Sequence, residues 1–332
     1  MAKLVLGIGT SHSPLMVLTP DQWYQRAEAD YKNPKLALSD GREMSYPELV
    51  AAQGEHYGDL AVPAEFEKRS AQCHACLDRL ADDLAMAKPD VVIVVGDDQN
   101  ELISLSNNPA FAIFYGDEVK TTDERNQEHQ PDWARRSSPS YMMDEVHHLP
   151  GAKALALDVI QGLIARHVDV GALAQVDNPK DRGFGHAFGF VAHRLMREAP
   201  IPLLPVLLNT YYAPNVVRAA RAYDIGVAMR AAIEESPLDL RVAIVASGGL
   251  SHFVVDEKLD RQVMAGLHKG QGELLRSIPP EALKSGSSEI LNWVLTAGAA
   301  SHMDVAWSEF IPIYRTPAGT GLGAAFAVWR AE

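Results

Sequence analysis

Short apolar runs alternate with longer amphipathic segments along this chain. The apolar runs are rich in β-branched residues and are bounded by Gly, Pro, Asp or Ser, which predicts strands; they cover residues 3–8, 91–95, 111–115, 203–208, 242–246 and 309–314. The amphipathic segments have apolar residues at helical spacing; they cover residues 64–87, 152–167, 189–198, 216–235 and 259–277. Strands that alternate with helices predict an α/β fold, with helices on both faces of one central, mostly parallel or mixed sheet.

The chain shows no internal repeat and no Pro-rich or Gly/Ser-rich linker, so we expect a single domain over residues 1–332. A polar, irregular segment at about residues 20–58 interrupts the α/β pattern soon after the first strand. A long insertion at this place is either a lid over a site or a decoration of the surface.

Composition restricts the class of protein. With 332 residues, of which 47% are hydrophobic, the chain can bury a large core. The formal net charge of −13 argues against nucleic acid or an anionic membrane as the principal partner. A small anionic substrate is compatible with this net charge, because a local cationic pocket can override the negative field of the whole protein.

No signal peptide or membrane span is apparent, and we expect a cytoplasmic protein. The only cysteines, Cys73 and Cys76, lack a second pair and are expected to pack as small hydrophobic residues.

The most informative residue is His12, in the loop Thr-Ser-His-Ser-Pro that leaves the first predicted strand. Ligands collect at the carboxyl ends of strands in open α/β sheets. An imidazole placed there can bind a metal or transfer a proton.

Two further strands lead into polar groups in the same way. Asp97, Asp98 and Gln99 follow the strand at 91–95. The two carboxylates can bind a hard cation or orient a histidine, or they can cap a helix. The strand at 242–246 runs through a Ser-Gly-Gly turn to His252 and then to the adjacent acids Asp256 and Glu257. A carboxylate from this segment and His12 would supply part of a two-histidine, one-carboxylate site for non-haem Fe(II); alternatively, the acids begin the next helix.

A fourth candidate is His186, in the segment Asp-Arg-Gly-Phe-Gly-His-Ala-Phe. The flanking glycines let the backbone bend closely around a ligand. His186 stands at the entry to a predicted helix, where the helix dipole favours a neutral imidazole. A neutral imidazole near a substrate hydroxyl is a candidate general base.

Seven segments together resemble one known family, the LigB-type (class III) extradiol ring-cleavage dioxygenases. They are GIGTSHSPLM, PDVVIVVGDDQ, GFGHAF, LLPVLLNTYYAPN, SGGLSH, SGSSEILNWVLTAGA and PAGTGLGAAFAVW, in that order over nearly the whole chain. The family includes the meta-cleaving protocatechuate dioxygenase and the gallate and 3-O-methylgallate dioxygenases. The resemblance implies a mononuclear Fe(II) enzyme that uses O2 to open a catecholic ring next to its two hydroxyls.

The resemblance also implies roles for individual residues. His12 matches the first metal histidine, and Glu257 is the best match for the metal carboxylate. His186 matches the histidine that acts as acid or base near the substrate, and His252 matches a histidine of the glycine turn that supports catalysis.

The chain departs from the family pattern at two places. Gln99 stands where relatives have a metal histidine. Either its amide oxygen is a weak ligand, or His56 of the inserted segment supplies the missing imidazole, or metal binding is impaired. Ala318 stands near the place where relatives carry a hydroxyl residue for the substrate carboxylate. We expect Asp98 and Thr320 to contact the substrate.

These observations predict an Fe(II)-dependent extradiol dioxygenase for a catecholic acid of the gallate, 3-O-methylgallate or protocatechuate type. Its partners would be the small aromatic substrate and O2, and we expect a homo-oligomer. Two alternatives are a non-catalytic relative that uses the pocket for binding, and a zinc-dependent hydrolase. Metal content distinguishes the three.

Overall fold

The protein is built around one eight-stranded mixed sheet in a computed structural model that describes residues 1–331. The strands of the described chain are β1 (Lys3–Thr10), β2 (Leu36–Ala37), β3 (Glu43–Met44), β4 (Val91–Asp97), β5 (Phe111–Phe114), β6 (Glu118–Lys120), β7 (His148–Pro150), β8 (Gly171–Leu173), β9 (Leu203–Leu208), β10 (Arg241–Ser247), β11 (Asp304–Tyr314) and β12 (Gly321–Arg330). The large sheet has the order β11-β12-β1-β10-β4-β9-β5-β8. Its centre, β1-β10-β4-β9, is parallel, and antiparallel pairing begins on either side.

Helices cover both faces of this sheet. They are α1 (Trp23–Lys32), α2 (Tyr46–Gln53), α3 (Pro63–Ala87), α4 (Asp132–Ser137), α5 (Lys153–Ala165), α6 (His186–Phe190), α7 (Ala219–Glu235), α8 (Glu257–Gly266), α9 (Gly272–Arg276) and α10 (Ile290–Ala299). The core lies in two large apolar layers, one with α5, α7 and α10 and the other with α3 and α6. The predicted α/β class with a mixed central sheet is confirmed. Within residues 1–331, no helix combines the length and the apolar character needed to cross a membrane.

Some elements differ from the sequence prediction for physical reasons. The strand β12 and the helix α10 were not predicted. The first is rich in glycine and alanine, and the second is buried on every side, so it lacks the exposed polar face of an amphipathic helix. The predicted helix 259–277 is two helices, because Gly270 between them has a φ of +81°. The predicted helix 189–198 begins earlier, as α6, and continues into a π-helical turn at Val191–Leu195.

The segment 20–58 is ordered rather than irregular, and it is fastened to the rest of the protein by a buried ion pair. It contains α1, β2, β3 and α2. Near the end of α1, Asp30 accepts two hydrogen bonds from Arg315, at 2.9 and 3.0 Å, and both side chains are about 3% exposed. Thr320 donates a third hydrogen bond to Asp30, at 2.8 Å. The insertion is therefore held in place through β11 and the turn before β12.

Removal of Asp30 should destabilise the folded protein, because it leaves the Arg315 guanidinium buried without its partner. We expect Asp30→Ala to lower the free energy of unfolding by about 3–5 kcal/mol, the usual effect of breaking a buried pair from one side. Urea denaturation monitored by circular dichroism measures this change. Asp40→Ala is the matched control, since Asp40 pairs with Arg42 at the exposed surface of the same segment and should have little effect. Equal losses in the two variants would contradict the anchoring role.

Candidate active site

Three neighbouring strands deliver polar groups to the same edge of the sheet. In the parallel register, Thr10 at the end of β1 pairs with Ser247 at the end of β10, and β4 ends beside them at Asp97. His12 follows β1 by two residues. The side chains of His12, Ser247 and Asp97 are all buried. The carboxyl edge of the sheet therefore forms a buried polar centre, where α/β proteins place their ligands.

The protonation pattern of His12 follows from its neighbour. Ser247 Oγ donates its one proton to the carbonyl of Ala187 at 2.7 Å. The same oxygen lies 2.9 Å from His12 Nδ1 and must accept there, so Nδ1 carries a proton. In the neutral ring, Nε2 then has a free lone pair. Tyr141 donates to the backbone carbonyl of His12 at 2.7 Å and holds the loop.

A buried carboxylate, Glu101, orients the ring of His186 and, as in His12, engages its Nδ1. Its Nδ1 lies 2.6 Å from Glu101 Oε1. Although burial raises the pKa of Glu101, the neighbouring His186 lowers it more, to about 2, so that this carboxylate only accepts. Nδ1 therefore donates, and the lone pair of the neutral ring lies on Nε2. Gly185 permits this pair, because a Cβ at that position would collide with the Glu101 carboxylate. The rings of His186 and His12 meet edge to face, with centroids 4.7 Å apart.

A buried glutamate, Glu289, lies between two histidines. Its Oε2 is 3.5 Å from His12 Nε2, and its Oε1 is 3.3 Å from His252 Nε2. His252 Nδ1 donates to the carbonyl of Leu250 at 2.8 Å, so its Nε2 also faces the carboxylate. A lone pair on either nitrogen would repel the carboxylate oxygens, so a proton or a cation belongs between them. Burial lowers the pKa of His252, but the neighbouring Glu289 carboxylate raises it more, so that the pKa lies above the ordinary value.

A second buried carboxylate, Asp97, lies beside His12 and His186. One candidate ligand atom from each of these three side chains lies within 4.8 Å of the other two. Burial, and then the charge of Glu289, raise the pKa of Asp97. Gln99 Nε2 donates to Asp97 Oδ2 at 3.1 Å, and Asn292 Nδ2 lies 3.4 Å from Asp97 Oδ1. Two carboxylates that repel each other, Asp97 and Glu289, lie here with imidazole nitrogens in a buried region. Such a group of donors favours a bound cation.

A cavity of about 120 Å³ opens onto this centre. This volume is comparable to the engineered cavity of about 150 Å³ that accepts benzene. The lining combines the imidazoles and Glu289 with apolar and cationic side chains: Pro14, Arg26, Gln99, Arg125, Trp133, Tyr211, Phe253, Arg315 and Leu322. The cavity can hold one small ring between a wall of imidazole and carboxylate groups and a wall of arginines.

Residues 6–325 match the family described as the catalytic LigB subunit of aromatic ring-opening dioxygenase. The chain belongs to this family. The resemblance of the seven sequence segments to LigB-type enzymes is therefore confirmed.

Two curated relatives match shorter parts of this LigB chain. It is similar to "Gallate dioxygenase" of Pseudomonas putida, with 31% identity over 163 residues, which cover 46% of each protein. It is also similar to "2,3-dihydroxyphenylpropionate/2,3-dihydroxicinnamic acid 1,2-dioxygenase" of Comamonas testosteroni, with 30% identity over 101 residues, or 30% of each protein. The match thus spans less than half of either relative.

The structure does not bring two of the predicted metal residues of this LigB protein, Glu257 and His56, to the cavity. Glu257 is not beside His12: it begins α8, its side chain is 37% exposed, and it pairs with Arg261 and the hydroxyl of Tyr314. His56 is exposed in the loop after α2 and does not line the cavity. The carboxylate that the structure brings to His12 is Glu289, directly before α10. The available signal was a single glutamate preceding a mostly apolar run of ten residues.

Two predicted substrate contacts have other partners in the structure. Asp98 accepts hydrogen bonds from the backbone amides of residues 100, 102 and 103 and so closes the loop after β4. Thr320 is fully buried against Asp30 and Thr316. Neither side chain lines the cavity, whereas His12, His186, His252 and Gln99 all do.

The Ser247 contact should determine which His12 nitrogen is protonated. We expect Ser247→Ala to convert the single Nδ1–H form of the neutral ring into a mixture of tautomers, because the acceptor of that proton is lost. Nitrogen NMR of ¹⁵N-histidine-labelled protein measures the change. Ser288→Ala is the control, as this buried hydroxyl has no hydrogen-bond partner among residues 1–331. An unchanged His12 spectrum in Ser247→Ala would contradict the assignment.

Proposed function

We propose that this protein is a non-haem Fe(II)-dependent extradiol dioxygenase that uses O2 to open the ring of a catecholic aromatic acid of the gallate, 3-O-methylgallate or protocatechuate type. The observation that carries the proposal is the buried cluster of His12, Asp97, His186 and Glu289 beside a ring-sized cavity. Membership in the LigB family and the similarity to a gallate dioxygenase support the reaction class.

The donor set fits a divalent metal of this kind. His12 Nε2 has a free lone pair, and Asp97 and Glu289 supply carboxylate oxygens close to it. Mixed imidazole and carboxylate ligation suits Fe(II), and two carboxylates neutralise its charge in a buried site. We assign these three side chains as the residues that would hold the iron. Gln99, which stands in place of a family histidine, positions Asp97 through its amide.

His186 is suited to accept a proton from a substrate hydroxyl. The ring lines the cavity with its Nε2 free of Glu101, and Glu101 would stabilise the imidazolium that forms after proton transfer. A histidine oriented by a buried carboxylate is the arrangement of a general base in catalytic triads. This part of the proposal keeps the acid/base role predicted for His186.

His252 is suited to return a proton during ring opening. It lines the cavity, and its contact with Glu289 favours the protonated ring. The aromatic side chains of Trp133 and Phe253, together with Leu322, limit the access of water to the polar wall. Bound Fe(II) would supply a redox-active template that allows the ring and O2 to react.

Metal affinity should depend on Glu289 and Asp97 but not on Glu257. We expect Glu289→Gln and Asp97→Asn each to weaken Fe(II) binding by more than about 100-fold, since even residues that only support metal ligands are worth about 10–100-fold. Anaerobic calorimetric titration with Fe(II), and metal analysis after reconstitution, measure the effect. Glu257→Gln is the matched control and should bind iron like the wild type. Iron loss in Glu257→Gln but not in Glu289→Gln would restore the original sequence assignment.

The proposed reaction is tested by oxygen uptake. Iron-loaded wild-type protein should consume O2 with at least one of the three catecholic acids and form the yellow ring-opened product. His186→Gln should keep its iron yet turn over about 10²–10⁴ times more slowly, the usual contribution of general acid–base catalysis. An oxygen electrode and absorption spectra provide the measurements. Bound zinc with no O2 uptake would instead favour a hydrolase, and a metal-free protein that binds the acids would favour a non-catalytic role.

A further inference from the structure

Three arginines meet at the cavity, but only one of them has a carboxylate partner. Arg26, Arg125 and Arg315 all line it. Arg315 is neutralised by the bidentate contact with Asp30. For Arg26 and Arg125, no carboxylate oxygen of residues 1–331 lies within ion-pairing distance. The cavity therefore has two guanidinium groups whose charge is not balanced by a carboxylate of the described chain.

Both unpaired guanidiniums are largely withdrawn from water and carry unused donors. Arg26 Nε and Arg125 Nη1 are buried and have no hydrogen-bond partner within the described chain. The guanidinium of Arg26 lies over the Trp133 ring, 4.2 Å from its centroid, and that of Arg125 lies over Tyr141 at 4.4 Å. The aromatic faces fix both groups in position without satisfying their in-plane N–H donors.

This arrangement is unfavourable unless an anion completes it. A buried cation without a partner loses several kcal/mol of hydration. Burial, and then the charges of Arg315 and Arg125, lower the pKa of Arg26 to about 10 even though Asp30 is nearby. Glu101, the buried acid near Arg125, is already engaged with His186 and the backbone amide of Gln99. The missing anion must come from a ligand.

We propose that Arg26 and Arg125 bind the carboxylate of the aromatic substrate and thereby make the enzyme select ring acids over neutral catechols. The inference rests on the proposed function for the nature of the ring, while the anion site itself follows from the unpaired guanidiniums. Planar guanidinium groups match the two oxygens of a carboxylate. The cavity is then polarised, with the metal-binding wall for the ring hydroxyls and the arginine wall for the acid group.

Two residues near the expected carboxylate position, Ala318 and Thr320, agree with this assignment. Thr320 is committed to Asp30, and Ala318 has no hydroxyl, so neither supplies a contact for a carboxylate. Arg26 belongs to α1 of the inserted segment. The insertion thus contributes a specificity residue, and it is more than surface decoration.

The test compares an acid with its uncharged ester on metal-free protein, so that the result does not depend on turnover. We expect 3,4-dihydroxybenzoate to bind the wild type at least tenfold more tightly than its methyl ester. Arg26→Met and Arg125→Met should each weaken binding of the acid by about ten- to hundredfold, the usual contribution of one charged hydrogen bond, and leave the ester unchanged. Quenching of tryptophan fluorescence and calorimetry measure both affinities.

Arg136→Met is the matched control, because Arg136 lies on α4 with Trp133 but pairs with Asp132 at the exposed surface. Arg26→Lys and Arg125→Lys should restore part of the affinity for the acid, since the charge returns without the planar fork. Equal binding of acid and ester by the wild type, or unchanged acid binding in both Met variants, would overturn the proposal. Acid-selective binding by a protein that consumes no O2 would keep the anion site and reject the dioxygenase.

Discussion

The rest of the site depends on the position of the buried Glu289 carboxylate. It receives a hydrogen bond from the backbone amide of Gly249 at 2.7 Å and separates the imidazoles of His12 and His252. Glu289 directly precedes α10, which is buried along its whole length and cannot shift without opening the core. The indole of Trp293 also donates to the Gly248 carbonyl, at 2.7 Å, and ties the helix to the glycine turn. Core packing therefore determines where the negative charge lies.

A single pattern orients all three histidines of the cavity. Each has its Nδ1 occupied by a different acceptor: a serine hydroxyl for His12, a carboxylate for His186 and a backbone carbonyl for His252. In every case Nε2 is left free of that acceptor, and in His12 and His252 it faces Glu289. The acceptors differ in charge, because Glu101 is a carboxylate whereas the Ser247 hydroxyl and the Leu250 carbonyl are neutral.

The sequence predicted the framework well because the central strands are strongly apolar and end in polar loops. This logic located His12, Asp97, Gln99 and His252 near one sheet edge, whereas His186 was singled out by its flanking glycines at a predicted helix entry. The same logic failed for Glu289, since this carboxylate comes from a helix start rather than a strand end. The helix that follows is buried on every side, so it lacks the exposed polar face that reveals an amphipathic helix. The strand-end logic also favoured Glu257 because that residue follows His252 closely along the chain. Glu257 instead begins α8, where its carboxylate contacts Arg261 and the Tyr314 hydroxyl.

The inserted segment shows why local spacing alone does not reveal a charge's partner. Arg26 and Asp30 are four residues apart on α1, the spacing at which opposite charges usually pair on a helix. Instead, Asp30 is taken by Arg315 and Thr320. This pairing neutralises Arg315, which follows β11, and leaves Arg26 on α1 without a carboxylate partner. The protein can therefore present positive charge to a small anion although its net charge is −13. The groups that line a cavity determine the electric field inside it, because charges on the distant surface are screened by solvent and salt.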